Sequence, residues 1–302
     1  MTTLAPPPPR RQLGRSGIEV SSLAWGHWRL AGDDVGAATR LLHAALDAEI
    51  DLIDTADIYG PDNGEAFGAA EALLGRVFAA EPRLRDRVVL ASKGGIVIGV
   101  PYDSSAAYLS SAIDASLQRL GTDRLDLWQI HRPDILTHPE EIARTVSDAH
   151  RAGKIRAFGV SNFTAGQIAT LQHFVDLPIV STQPELSPLK LDPIENGELD
   201  QAMVADMAVL AWSPLGGGRI ANPSNAREQA VASALDAVAA EHGVSRTAAA
   251  LSWIMAHPAR PIPIVGSQRA ERIAESAAAF KVRWTRAQWY AVLVASRGEK
   301  LP

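Results

Sequence analysis

The 302 residues include no cysteine, so neither disulfides nor thiolate metal sites are open to this chain, an absence that fits a reducing cytosol. Long apolar runs are missing too. Nothing approaches the roughly 20 residues that cross a bilayer, and Met1 to Arg11 lacks the apolar stretch of a secretory leader. A cytoplasmic protein with no membrane partner is therefore expected. The proline run Pro6 to Pro9 reads as part of a disordered lead-in, residues 1–11, before a single domain over residues 12–302. Excess positive charge is also absent: the formal net charge is −5, which provides no field to gather a polyanion and argues against nucleic acid. The eight histidines show no metal-ligand spacing, and no metal is expected.

What is present is an alternation. Eight short apolar runs of strand length, Ser22–Gly26, Leu52–Asp54, Val88–Ser92, Leu125–Ile130, Ala157–Val160, Pro178–Ser181, Ala208–Trp212 and Pro261–Val265, are separated by stretches of helical period. Most are apolar throughout, as strands covered on both faces should be. In the helical stretch Val35–Ala48, Leu41, Leu42, Ala45 and Leu46 recur at one buried face, and in Ala107–Leu120, Leu109, Ile113, Leu117 and Leu120 do the same. Two helical patterns, Arg227–His242 and Arg246–His257, fill the last crossover, and Thr285–Ser296 reads as a helix packed outside. No G-x-G-x-x-G follows the first run, as an open dinucleotide-binding sheet would require. The pattern predicts an α/β fold, a (β/α)₈ TIM barrel, with Gln12–Val20 forming a β-hairpin that caps the barrel bottom.

In such a barrel the strand-to-helix loops share one rim, where reactive residues belong. Reading the strand exits in order places Asp54, Tyr59, Lys93, His131, Ser161, Asn162, Gln183, Ser213 and Ser267 there. Four of these suffice for acid catalysis. A free phenol holds its proton near pKa 10 and needs a cation beside it to donate readily, which Lys93 supplies. Asp54 is placed to keep that lysine charged, and His131 to orient a carbonyl or help relay the proton.

The fragments DLIDTADIYG (Asp51–Gly60), ASKGG (Ala91–Gly95), LDLWQIHRPD (Leu125–Asp134), GKIRAFGVSNF (Gly153–Phe163), TQPELSPL (Thr182–Leu189), AWSPLGGGRI (Ala211–Ile220) and PIVGSQRAERIAES (Pro263–Ser276) resemble the aldo-keto reductases, in order and across nearly the whole chain. The resemblance implies the barrel and a tetrad of Asp54, Tyr59, Lys93 and His131, with Tyr59 as general acid in NADPH-dependent reduction of a small-molecule aldehyde or ketone to the alcohol. It assigns the nicotinamide carboxamide to Ser161, Asn162 and Gln183, and ring stacking to Trp212, where many members carry tyrosine. The loop Ser213–Arg219, with Ser213, Leu215, Gly217 and Arg219, would take the pyrophosphate. Ser267, Gln268 and Arg272 match positions at the adenosine 2′-phosphate, and Glu275 one near the adenine. Gly266 stands where many members carry a lysine, so preference for NADPH leans on Arg272 and Arg269, and NADH is an alternative. Members of this kind are commonly monomers.

Each residue also has an ordinary explanation. Lys93 alone would be a solvated cation, His131 a turn residue, Tyr59 a packed loop aromatic and Asp54 a cap. Their joint placement at successive strand exits favours the catalytic reading. Trp25 and Trp28 divide between core packing and a wall of the substrate pocket. Two other functions compete: a non-catalytic NADPH-binding regulatory protein resembling channel β-subunits, and a barrel aldolase with Lys93 as nucleophile. The short tail after Trp284 leaves few residues to reach over the mouth, so an open pocket is expected.

Overall fold

A computed structural model describes residues 2–301. Near the N-terminus, β1 (Arg10–Gln12) and β2 (Glu19–Ser21) pair antiparallel around a turn. Eight parallel strands follow: β3 (Ala24–Gly26), β4 (Leu52–Asp54), β5 (Val89–Gly94), β6 (Leu125–Ile130), β7 (Ile155–Ser161), β8 (Ile179–Gln183), β9 (Ala208–Ala211) and β10 (Ile262–Val265). They close into a barrel because β10 pairs with both β3 and β9. The expected TIM barrel and its hairpin are what the chain forms.

The helices are α1 (Val35–Asp47), α2 (Ala69–Ala80), α3 (Ala106–Leu120), α4 (Pro139–Arg151), α5 (Ala165–Phe174), α6 (Asp192–Glu195), α7 (Glu198–Val204), α8 (Ala226–His242), α9 (Arg246–Met255), α10 (Ala270–Ser276) and α11 (Arg286–Arg297). Local chemistry sets their ends. Asp34, Ser105 and Asn225 cap α1, α3 and α8 by accepting from a backbone N–H three residues on, and Gly121 and Gly243 end α3 and α8 in left-handed conformation. As expected, the last crossover holds two helices, α8 and α9. The tail helix α11 packs outside through Trp289, which stacks on Trp253 at 4.8 Å and exchanges indole N–H bonds with its carbonyl.

Strand parity makes two cores. Ala24, Leu52, Ala91, Leu127, Ala157, Ala208, Leu210, Ile262 and Ile264 fill the barrel interior, while Trp25, Ile53, Leu90, Trp128 and Phe158 face the helices. Leu13, Ile18 and Val20 of the hairpin are buried with the interior set and plug the barrel bottom. The segment expected to be a lead-in, residues 1–11, makes contacts with the barrel over its described part. Arg10 pairs with Glu19 and Asp51, the Leu4 N–H donates to the Trp284 carbonyl, and Thr3 bridges Thr285. The proline run carries no local signal for these contacts, which are made with residues far along the chain. Met1 lies outside the described residues.

Candidate active site

The same parity delivers polar groups to one end of the barrel. On β4 Leu52 points inward, so Asp54 does too; on β5 Ala91 fixes the inward direction of Lys93. Four residues after the inward Leu127 comes His131, and four after the inward Ala157 comes Ser161. Tyr59 reaches the group from the loop after β4, where the Ala70 N–H donates to its carbonyl.

Lys93 is fully buried and spends all three of its hydrogens: on Asp54 Oδ2 at 2.7 Å, the Thr55 carbonyl at 2.8 Å and the Tyr59 hydroxyl at 3.0 Å. The Thr55 carbonyl, being backbone, was invisible to residue-type reasoning. Asp54 is held from its other side by Gln183 Nε2 at 2.9 Å. Burial works against the charge on Lys93, but Asp54 and the Tyr59 oxygen outweigh it and hold the ammonium above the usual lysine value. The Tyr59 phenol is raised, not lowered: burial dominates, Lys93 pulls against it and Asp54 adds to the rise. Lys93 is thus where expected, yet the resting phenol keeps its proton firmly. His131 packs edge-on to Tyr59, with ring centroids 5.8 Å apart, and burial with Lys93 and Arg132 nearby keeps it well below the usual histidine value. It is a neutral imidazole at physiological pH, and its Nδ1 has no partner among the described residues.

Beside this group lies a second hydrogen-bonded set. Asn162, in left-handed backbone with φ 60°, donates from Nδ2 to the His131 carbonyl and the Ser161 Oγ, and accepts from the Trp212 indole at 3.0 Å. Ser161 Oγ donates to the Gln183 carbonyl. The indole of Trp212 is therefore locked in orientation while remaining partly exposed. In the following loop Ser213 Oγ accepts from the Gly217 N–H, Leu215 is half-buried, and no atom would meet a Cβ at Gly217 or Gly218, both at positive φ. This is open backbone that an anion can approach closely. Arg219 is engaged by the Gly216 carbonyl and Glu228. After β10, both side-chain polar atoms of Gln268 are buried without partners among the described residues, Ser267 Oγ accepts from the Arg269 N–H, and Arg269 pairs with Glu271. Arg272 and Glu275 are exposed on α10, and Arg272 makes no ion pair among the described residues.

A flat indole, an open glycine turn and an unpaired buried amide, aligned along one rim, fit an elongated ligand with a ring at one end and phosphates beyond it. Of the two tryptophans assigned to the substrate wall, the structure separates them. Trp25 is buried among the helix-facing core residues and its indole donates to the Ser267 carbonyl, so it does not line the mouth. Its position on β3 is one residue off the inward parity of Ala24. Trp28 stands at the rim, 47% exposed.

Sequence reasoning missed a polar cluster behind Lys93. Glu71, fully buried, accepts from Ser92 Oγ and is paired by Arg119 at 2.7 Å, and Asp57 is buried close enough to feel its charge. Burial, then the charge of Glu71, pushes the Asp57 carboxyl well above the usual range.

The chain as a whole is similar to known proteins. The model of the Aldo/keto reductase family matches residues 22–293. A 6-dehydroglucose reductase from Novosphingobium aromaticivorans is 63% identical over the full length of both chains. Another of that name from Agrobacterium fabrum is 34% identical, over 94% of this chain and 97% of its own. A solved thermostable aldo-keto reductase in complex with the inhibitor epalrestat superimposes with a TM-score of 0.81 at 25% identity, over 95% of this chain and 99% of its own. With its barrel, its rim and these relatives in view, the chain belongs to the aldo/keto reductase family and is an NAD(P)H-dependent oxidoreductase.

Proposed function

We propose that this protein reduces a sugar aldehyde, 6-dehydroglucose, to the alcohol with NADPH, Tyr59 serving as the proton donor. The substrate is taken from the 63% identical relative, whose alignment spans both chains completely. One observation carries the mechanism. Lys93 donates to the phenol oxygen, so that oxygen is an acceptor toward Lys93 and its own hydrogen is free to point to a substrate carbonyl.

A reduced nicotinamide, when bound, supplies the hydride that the carbonyl carbon takes up. The chain's residues do the rest. Tyr59 transfers its proton to the carbonyl oxygen, and Lys93 stabilises the phenolate charge as it develops, which matters more in the transition state than at rest. Asp54 keeps Lys93 charged in its dry setting. Neutral His131 orients the carbonyl without competing for the role of acid. Trp212, its indole fixed by Asn162, would offer its face to the nicotinamide ring, and Ser161, Asn162 and Gln183 would hold the carboxamide. Ser213, Leu215, Gly217 and Arg219 would hold the pyrophosphate; Ser267, Gln268 and Arg272 would hold the 2′-phosphate, and Glu275 the adenine. With Arg269 committed to Glu271, Arg272 is the cation left for that phosphate. An intact tetrad and a full-length reductase relative favour catalysis over a binding-only role.

The assay follows NADPH absorbance with 6-dehydroglucose as substrate, repeated with NADH. Tyr59→Phe is expected to lose most turnover, on the order of a hundredfold or more, while NADPH binding measured by fluorescence stays intact. Parent-like turnover by this variant would remove Tyr59 as the acid.

A further inference from the structure

The loop that follows Tyr59 is fastened to the loop after β3 by three side chains of one short run. Asp62 Oδ2 accepts from the Trp28 indole at 2.9 Å, Asn63 Nδ2 donates to the Trp28 carbonyl at 2.7 Å, and Glu65 accepts from the Gly32 N–H at 2.6 Å. These loops leave adjacent strands, since Gly26 of β3 lies opposite Asp54 of β4 and the His27 N–H donates to the Asp54 carbonyl. Trp28 and Asp62 therefore stand together at the rim above the Asp54, Tyr59 and Lys93 group.

Trp28 is a large aromatic side chain left 47% exposed while its indole N–H and its carbonyl are both fixed by hydrogen bonds. Arg29 lies over the indole, its guanidinium carbon 5.3 Å from the ring centroid. Asp62 is exposed, makes no ion pair among the described residues, and uses only one carboxylate oxygen. The pair thus presents an oriented aromatic plate and a spare anionic acceptor side by side. A flat indole takes the C–H face of a sugar ring, and a carboxylate oxygen accepts strongly from a hydroxyl.

We infer that Asp62 is a specificity-determining residue that selects polyhydroxylated aldehydes, holding Trp28 as a ring platform with one carboxylate oxygen and accepting a substrate hydroxyl with the other. This deepens the proposed function and rests on its sugar-aldehyde reading. A simple aldehyde, with neither a ring face nor hydroxyls, gains nothing from the pair.

The test compares the parent, Asp62→Ala and Asp62→Asn on three aldehydes with NADPH: 6-dehydroglucose, D-glyceraldehyde and propanal. For Asp62→Ala the preference for each hydroxylated aldehyde over propanal, as a ratio of kcat/KM, is expected to fall roughly tenfold or more, the size of a lost hydrogen bond to a charged group. The loss should lie in KM. Asp62→Asn keeps a carbonyl oxygen for the Trp28 N–H and should recover part of the preference. An unchanged ratio in Asp62→Ala, in a parent that does reduce the hydroxylated aldehydes, overturns the role of Asp62 alone. A parent that reduces propanal but neither hydroxylated aldehyde removes the sugar reading and this inference with it.

Discussion

At the scale of single residues, Lys93 shows how saturation governs reactivity. With three acceptors around one ammonium, its nitrogen has no lone pair to offer, and Asp54 ensures that it keeps its proton. An aldehyde bound beside it meets a charge and no nucleophile, which separates this site from an aldolase. His27 is a second case. It is fully buried, neither ring nitrogen has a partner among the described residues, and burial, aided by Lys93, lowers it to about 3. A group lowered in the folded state gives stability that is present above its unfolded value near 6.5 and is lost as pH falls from there toward 3. The full effect is on the order of 5 kcal/mol. Replacing His27→Leu should therefore flatten the fall of melting temperature between pH 7 and pH 4; an equally steep fall in the variant would show that His27 does not carry the acid sensitivity. The meeting of Asp54, Lys93 and His131 was legible in the sequence because the first two lie on strands whose parity is easy to read and the third directly follows one, whereas Tyr59 comes from the loop after β4. Asp62 was not, since its partner Trp28 lies 34 positions away and nothing local announces the pairing.

At the scale of elements, strands buried on both faces were the easiest to find: Leu52–Asp54 and Leu125–Ile130 begin and end where the apolar runs do. The short helices α6 and α7 in the crossover from β8 to β9 went unread, being too brief to show a periodic face. Strand β7 carries a constraint its sequence hints at only by a glycine. A Cβ at Gly159 would lie 2.0 Å from Ser181 Oγ and 3.0 Å from the Ser181 carbonyl oxygen, at the point where the register with β8 shifts. In Gly159→Ala the Ser181 hydroxyl must turn away and the β8 backbone must give by a few tenths of an ångström, and β8 ends in Gln183, which holds Asp54. Overpacking of this kind costs about 1–3 kcal/mol. The expected result is a lower denaturation midpoint together with reduced kcat; a variant matching the parent in both would mean that the strands separate without disturbing the site.

At the scale of the whole molecule, the barrel has two unlike ends. The hairpin residues Leu13, Ile18 and Val20 complete the interior core at one end, and the polar groups collect at the other. Stability and chemistry should accordingly come apart on mutation. Leu13→Ala, at a position with no exposure, is expected to cost about 2–5 kcal/mol in urea unfolding while kcat and KM remain those of the parent. A large change in KM would show that the plug reaches the site. The fold class followed from counting alternating runs, whereas the ordered N-terminal segment escaped because its partners, Asp51, Trp284 and Thr285, are distant in the chain. The plug has a consequence for traffic. Because the interior is filled as well as stoppered at its base, any reactant, and the solvent that returns a proton to the phenol, can reach the buried lysine only from the rim.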